Sequence, residues 1–362
     1  MKMKITFGSY FLLFFGLLLL SCGNADDDVS FNIGDSELGL GKEPDDCLGF
    51  GENELLLSIQ DEFTTLPGKV SILFKVSDLL GNPISGLGAE QFTIYEQGRN
   101  DECFNLISPS ESQARISSNT QVFHNNTLLV LDLSNSVLAS SLEELKAAST
   151  SFITNVMPED ETESFKMAIY WFDGENELHL LNDLTSSTSE LTAAVAGITS
   201  DISSDVSTDL YGAVIKSTKI AEDLLDKNTQ SIGAASIVLF TDGTDQASRY
   251  KESDAIKAVQ QADRNISYFT IGLGAEIDTG VLTEIGKTAS VFAANKQELE
   301  NTFNEISQRV AEQANSFYLF EYCTPKRDGS GVSNLVIQLS QGNLKGAVQT
   351  KFNATGFKGG CE

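Results

Sequence analysis

Histidine is nearly missing from this chain. Among 362 residues there are two, His124 and His179, and neither stands in an H-E-x-x-H pattern. A zinc protease of that kind is therefore unsupported. Both read as surface residues, His124 just ahead of a strand and His179 in a short edge strand. No C-x-x-C occurs, which argues against a redox pair or a zinc ribbon. No G-x-S-x-G occurs, so there is no nucleophile elbow. Gly272-Leu273-Gly274 follows an apolar run, but no third glycine arrives at the dinucleotide spacing. Basic residues are also scarce, 24 Lys and Arg against 51 Asp and Glu, for a formal charge of −27. Such a surface repels nucleic acid and anionic membrane. Beyond the first residues no run approaches the ~20 apolar residues of a membrane-spanning helix, and no internal repeat is visible.

What is present starts at the N-terminus. Lys2 and Lys4 precede an uncharged, largely apolar run over residues 5–20, the pattern of a secretory signal. The run ends in Leu19-Leu20-Ser21-Cys22, which resembles a bacterial lipobox. The resemblance implies a signal peptide over residues 1–21, acylation of Cys22, and lipid as the only membrane anchor. Gly23 rather than Asp follows the cysteine, and Asp26, Asp27 and Asp28 resemble the acidic export tag of surface lipoproteins. The expected location is the bacterial cell envelope, at the outer membrane or cell surface. Without residues 1–21 the chain holds 22 basic and 51 acidic residues, a charge of −29. Residues 22–52 read as a flexible acidic tether. Cys47, Cys103, Cys323 and Cys361 remain, an even number that suggests two disulfides in an exported protein, with three connectivities open.

Three regions follow. Residues 53–115 are strands and turns: "VSILFKVSD" is apolar and β-branched, and "QFTIYEQG" alternates as a half-buried strand does. Residues 125–312 change pattern. Continuous apolar runs such as "TLLVLDL", "ASIVLFT" and "ISYFTIGL" alternate with helical stretches. In one of these Leu142, Leu145, Ala148, Phe152 and Val156 fall near helical spacing. Residues 315–362 return to strands separated by Gly-rich turns. The expectation is an α/β fold with a doubly wound, mostly parallel sheet. It is flanked by a β-sandwich-like module that the N- and C-terminal segments build together. Trp171 and Phe172 read as core. In such sheets ligands bind at the carboxyl ends of the strands.

Those ends carry oxygen. In "TLLVLDLSNSV" an apolar run closes on Asp132, Ser134 and Ser136, spaced by two. "ASIVLFTDG" closes on Thr241 and Asp242, and the loop before "LYGAVIKSTK" holds Ser207, Thr208 and Asp209. Hard oxygen donors from three loops, few of them carboxylates, suit an octahedral ion that keeps several waters. Asp209 and Asp245, close by, read as solvated loop carboxylates. The pattern resembles the von Willebrand factor type A domain over about residues 125–312. The resemblance implies a metal-ion-dependent adhesion site: Asp132, Ser134 and Ser136 as its first loop, Thr208 as its second, Asp242 as its third. Ser207 stands where the family usually has Gly. The implied ion is Mg2+, with Mn2+ or Ca2+ as alternatives, and the implied partner is a protein ligand offering an acidic side chain. The flanking segments are similar to those around many bacterial A domains, and that pattern implies the pairings Cys47–Cys103 and Cys323–Cys361.

The resulting expectation is a cell-envelope lipoprotein that binds a protein or peptide carboxylate through a divalent cation. The alternative is a structural envelope component whose domain makes contacts without metal. A metal-assisted hydrolase is the remote reading, since no general base is placed for it; the chain reads as no enzyme.

Overall fold

The computed structural model describes residues 41–98, 100–117, 123–226, 232–325 and 331–358. The signal peptide and Cys22 lie outside the described residues. The elements run, in order, β1 (Leu55–Thr65), β2 (Lys69–Asp78), β3 (Phe92–Gln97), β4 (Asn105–Ile107), the single turn α1 (Pro109–Ser112) and β5 (Arg115–Ser117). Then come β6 (Phe123–Asp132), α2 (Asn135–Ser140), α3 (Leu142–Val156), β7 (Phe165–Phe172), β8 (His179–Thr185), α4 (Thr188–Ala196) and α5 (Leu210–Asp226). They are followed by β9 (Ile232–Thr241), α6 (Glu252–Gln261), β10 (Ile266–Leu273), α7 (Thr279–Ile285), β11 (Ala289–Ala293) and α8 (Leu299–Ala314). The chain closes with β12 (Phe317–Cys323), β13 (Val332–Gln341) and β14 (Leu344–Asn353).

The central sheet has the order β11-β10-β9-β6-β7-β8, parallel throughout except for the edge strand β8. Its inner strands β6, β9 and β10 carry continuous apolar runs because both faces are covered there. Leu129 and Leu131 of β6, with Val238 and Phe240 of β9, pack beneath α3 and α8. Their alternates Leu128, Val130, Ile237 and Leu239 pack in the layer with α5 and α6. The helices bury one stripe each. Leu145, Ala148, Phe152 and Val156 of α3 are buried at the three- and four-residue spacing read from the sequence. Phe303 of α8 is fully buried, with ring centres 6.2 Å from Phe152 and 5.7 Å from Phe240.

The flanking strands form two four-stranded antiparallel sheets, β1-β2-β12-β5 and β14-β13-β3-β4. Each draws strands from both ends of the chain: β12 pairs with β2 and β5, and β13 with β3. Between them Phe74, Phe92, Phe320, Leu335 and Ile337 make a separate core. On the other face of its sheet Glu321 of β12, between the core residues Phe320 and Tyr322, is buried and held by Lys69 at 2.8 Å and Arg115 at 2.8 Å. The α/β fold with a flanking β-module is thus the architecture expected from the sequence.

One boundary differs. The tether expected to reach residue 52 is not free over its final stretch. Lys42 pairs with Gln349 of β14, the backbone N–H of Asp45 donates to the Gln349 side chain, and Asn53 exchanges two hydrogen bonds with Ala347. The Cys47–Cys103 disulfide and the edge-on contact of Phe50 with Tyr95 fix this stretch to the module. Composition alone signalled solvation there, and the disulfide overrides it. The expected partner of Cys323, Cys361, lies outside the described residues. Among the described residues no helix is long and apolar enough to cross a membrane.

Candidate functional site

The sheet reverses direction at β6. The chain first adds β7 and β8 on one side, then β9, β10 and β11 on the other. That reversal lies between the carboxyl ends of β6 and β9, the place where such sheets receive ligands. Asp132 ends β6 there and Thr241 ends β9.

Asp132 is fully buried. Its Oδ1 accepts the Ser134 N–H at 2.9 Å and its Oδ2 accepts the Thr241 hydroxyl at 2.6 Å. The hydroxyls of Ser134 and Ser136 lie 3.2 Å apart, and the Ser136 hydroxyl donates to Asp242 Oδ1 at 2.8 Å. Four of the five expected ligands, Asp132, Ser134, Ser136 and Asp242, therefore share one connected network, which Thr241 closes from below. The fifth, Thr208, is buried and ties its loop to the third one: its carbonyl accepts the N–H groups of Gln246 at 2.8 Å and Ala247 at 3.1 Å.

Electrostatics make this a strained place for anions. Burial pushes the Asp132 carboxyl up to about 7; the Thr241 and Ser134 hydrogen bonds pull against that, and the neighbouring Asp242 adds to it. Asp242 is also raised, first by burial and then by Glu276, with the Ser136 hydroxyl opposing. A cation between these groups would offset both penalties.

The donor set fits a hard ion. Ser134 occupies the cap position of α2, yet its side chain makes no capping hydrogen bond; the hydroxyl points instead to Ser136. The oxygen separations of 3.2 and 2.8 Å match the edge of an octahedron around Mg2+, about 3.0 Å for bonds of about 2.1 Å. Asp132, Ser134, Ser136, Thr208 and Asp242 could hold such an ion, with Asp132 and Asp242 bound directly or through water.

Two acids depart from the expectation of solvated loop carboxylates. Asp209 is buried: its carboxylate takes the Lys216 ammonium at 2.9 Å and the Gly212 N–H at 3.2 Å. Asp245 accepts the N–H of Tyr211 at 3.1 Å and of Ser248 at 2.9 Å, fastening the third loop to the start of α5. The seven-residue spacing from Asp209 to Lys216, two turns along a helix, was the available signal for the first. Thr241 was legible as an oxygen donor but not as the group that orients Asp132. His179 also departs from a surface reading. It stacks flat on Trp171, ring centres 4.0 Å apart, with 20 % of its side chain exposed.

Residues 127–244 match the family model of the von Willebrand factor type A domain. The chain carries a type A domain. No curated protein sequence matches the chain. Among solved structures, the chain is similar to the conserved hypothetical protein BatB from Bacteroides thetaiotaomicron, at 19 % identity and a TM-score of 0.42, over 53 % of this chain and 99 % of that one. It is also similar to a von Willebrand factor type A protein from Catenulispora acidiphila, at 10 % identity and a TM-score of 0.44, over 81 % and 76 % of the two chains. A third is the manganese-loaded TRAP protein of Plasmodium vivax, at 12 % identity and a TM-score of 0.44, over 69 % and 99 %. In this type A domain the family model spans β6 through the Asp242 loop, so all five candidate ligands fall inside it.

Proposed function

We propose that the type A domain binds a protein ligand through a divalent cation held by Asp132, Ser134, Ser136, Thr208 and Asp242. The observation that carries the reading is the convergence of Asp132, Ser134, Ser136 and Asp242 at the carboxyl ends of β6 and β9, with the Ser134 hydroxyl left out of helix capping. A bound Mg2+, or Mn2+ or Ca2+ in its place, supplies Lewis-acid attraction for an incoming carboxylate. The protein's own groups prepare that attraction. Thr241 fixes Asp132. Lys216 neutralises Asp209, so that carboxylate does not compete with the ligand. Ser136 is exposed at the rim, where a partner's acidic side chain would arrive. The role is adhesion or complex assembly, without catalysis.

The reading extends to location. The Leu19-Leu20-Ser21-Cys22 ending supports a lipid anchor on Cys22 and a place in the bacterial envelope, at the outer membrane or cell surface. In a Cys22→Ser strain the protein should move from the membrane to the soluble fraction; continued sedimentation with membranes would refute the anchor.

A second reading has its own support. The Ser136–Asp242 hydrogen bond already closes the network without an ion, which suits a domain that makes contacts without metal. Pull-down from envelope extracts in Mg2+ and in EDTA, with wild-type and Asp132→Ala protein, separates the two. Capture in Mg2+ that EDTA and the substitution both abolish supports the cation. Equal capture under all conditions sinks it.

A further inference from the structure

The hairpin between β7 and β8 carries a second group of ligand-type side chains within seven residues, "DGENELH": Asp173, Glu175 and His179. Their ligand atoms all lie within 4.8 Å of one another. His179 Nε2 stands 4.0 Å from Asp173 Oδ1 and 3.7 Å from Glu175 Oε2, too far for a hydrogen bond to either. That nitrogen is fully shielded from solvent and has no hydrogen-bond partner. A buried, unpartnered imidazole nitrogen aimed between two carboxylates costs free energy unless something fills the gap.

The surroundings hold each ligand in place: the Glu175 N–H donates to Asp173 Oδ1 at 2.8 Å, which leaves that oxygen its second lone pair. The Ser203 hydroxyl donates to Asp173 Oδ2 at 2.6 Å, and the Ser204 hydroxyl to Glu175 Oε1 at 2.9 Å. Each serine thus takes the outer oxygen of one carboxylate, and Oδ1 and Oε2 face His179. Stacking on Trp171 sets the imidazole plane. Such outer hydrogen bonds orient metal ligands. Two ligands on a tetrahedral zinc ion, each about 2.0–2.2 Å from it, stand about 3.3–3.6 Å apart. The separations of 3.7 and 4.0 Å exceed that by a few tenths of an ångström. A rotation of the Glu175 side chain, 44 % exposed, would draw its carboxylate in.

We propose that Asp173, Glu175 and His179 form a transition-metal site, distinct from the Asp132 group. One imidazole with two carboxylates favours Zn2+ over Mg2+ or Ca2+, because imidazole binds the borderline ions and the alkaline earths prefer oxygen alone. Three protein ligands leave a position for water or a ligand from outside.

Co2+ is the probe, because its visible absorption reports imidazole coordination of low symmetry. The chelator-treated full chain is titrated with Co2+, then with Zn2+ or excess Mg2+. The expected result is one equivalent of Co2+ with visible bands that Zn2+ displaces and Mg2+ does not. His179→Ala should weaken binding about 100-fold or more, and Glu175→Gln, on a half-exposed side chain whose loss leaves the fold intact, at least 10-fold. Asp132→Ala should keep the bands. Three outcomes overturn the proposal: no bands in the wild type, leaving His179 as an ion-pair partner only; bands that survive His179→Ala; or bands lost in Asp132→Ala, which would assign the metal to the other group. The Asp132→Ala arm keeps failure here distinct from failure of the adhesion reading.

Discussion

Thr241→Val is the sharpest test of how the Asp132 group is built. Valine keeps the shape of threonine and deletes the hydroxyl that donates to Asp132 Oδ2 at 2.6 Å. Both residues are fully buried, so water cannot substitute. A hydrogen bond to a charged group contributes about 1.5–3 kcal/mol and one between neutral groups about 0.5–1.5; measured well above pH 7, where Asp132 is ionised, the variant should lose stability in the upper range. The same hydroxyl orients a candidate ligand, and loss of such an orienting group typically weakens metal binding about 10–100-fold. Both effects can be read in one assay. Trp171 is the only tryptophan and is buried, so its fluorescence follows urea unfolding, with and without Mg2+. A cation at 100 times its dissociation constant should stabilise the wild type by about 2.7 kcal/mol, and the variant should need a correspondingly higher concentration. A variant within about 0.5 kcal/mol of wild type and with the same Mg2+ dependence would refute the positioning role. A wild type whose midpoint ignores Mg2+ would refute the cation itself.

The β-module offers further tests. Gly346→Ala would drive its new Cβ into the Leu55 backbone; overpacking of this kind costs about 1–3 kcal/mol, measured by urea unfolding, while Mg2+ dependence stays unchanged. Replacing Cys103 by Ser opens a loop between residues 56 apart in sequence, and the chain-entropy model places the loss near 4 kcal/mol; a loss under about 1 kcal/mol would show that the 41–53 stretch is held by its hydrogen bonds alone. Burial pushes the Glu321 carboxyl up, but its hydrogen bonds and ion pairs with Lys69 and Arg115 outweigh that and hold it below the usual glutamate value of 4.5. A depressed native value means the stabilisation is present above pH 4.5 and is lost as pH falls through the native value. The stability gap between wild type and Glu321→Gln should therefore shrink in acid, and a gap that grew there would reverse the sign.

The parallel sheet was legible because its strands are buried on both faces: Leu128 through Leu131 serve two cores, and only a continuous apolar run can do that. The meeting of Asp132, Ser134, Ser136 and Asp242 was legible because the first three sit at a strand end with a spacing of two and Asp242 at the end of a second apolar strand. What stayed hidden depended on partners remote in sequence. Thr241 becomes the support of Asp132 only when β9 lies beside β6. His179 looked like an exposed edge residue because alternation cannot show that Trp171 lies flat beneath it. The 41–53 stretch looked solvated because its glycines and acids hide a backbone bridge to β14 and a cysteine already committed to Cys103.

The way the two halves of the molecule are joined also sets how it carries mechanical load. The α/β portion leaves the β-module after β5 and returns at β12, and these strands are antiparallel neighbours, with Ser117 opposite Leu319. Both connections thus emerge at the same end of one strand pair. Tension on the α/β portion, resisted where the chain enters β1, draws β5 and β12 together in one direction instead of peeling them apart. Next it meets β2, which is registered against β12 from Phe317–Lys75 to Cys323–Lys69. Leu55, where the chain enters β1, lies at that same end, opposite Asp78 of β2, so force between the two points opens the ladder from the Phe317–Lys75 end, one hydrogen bond after another.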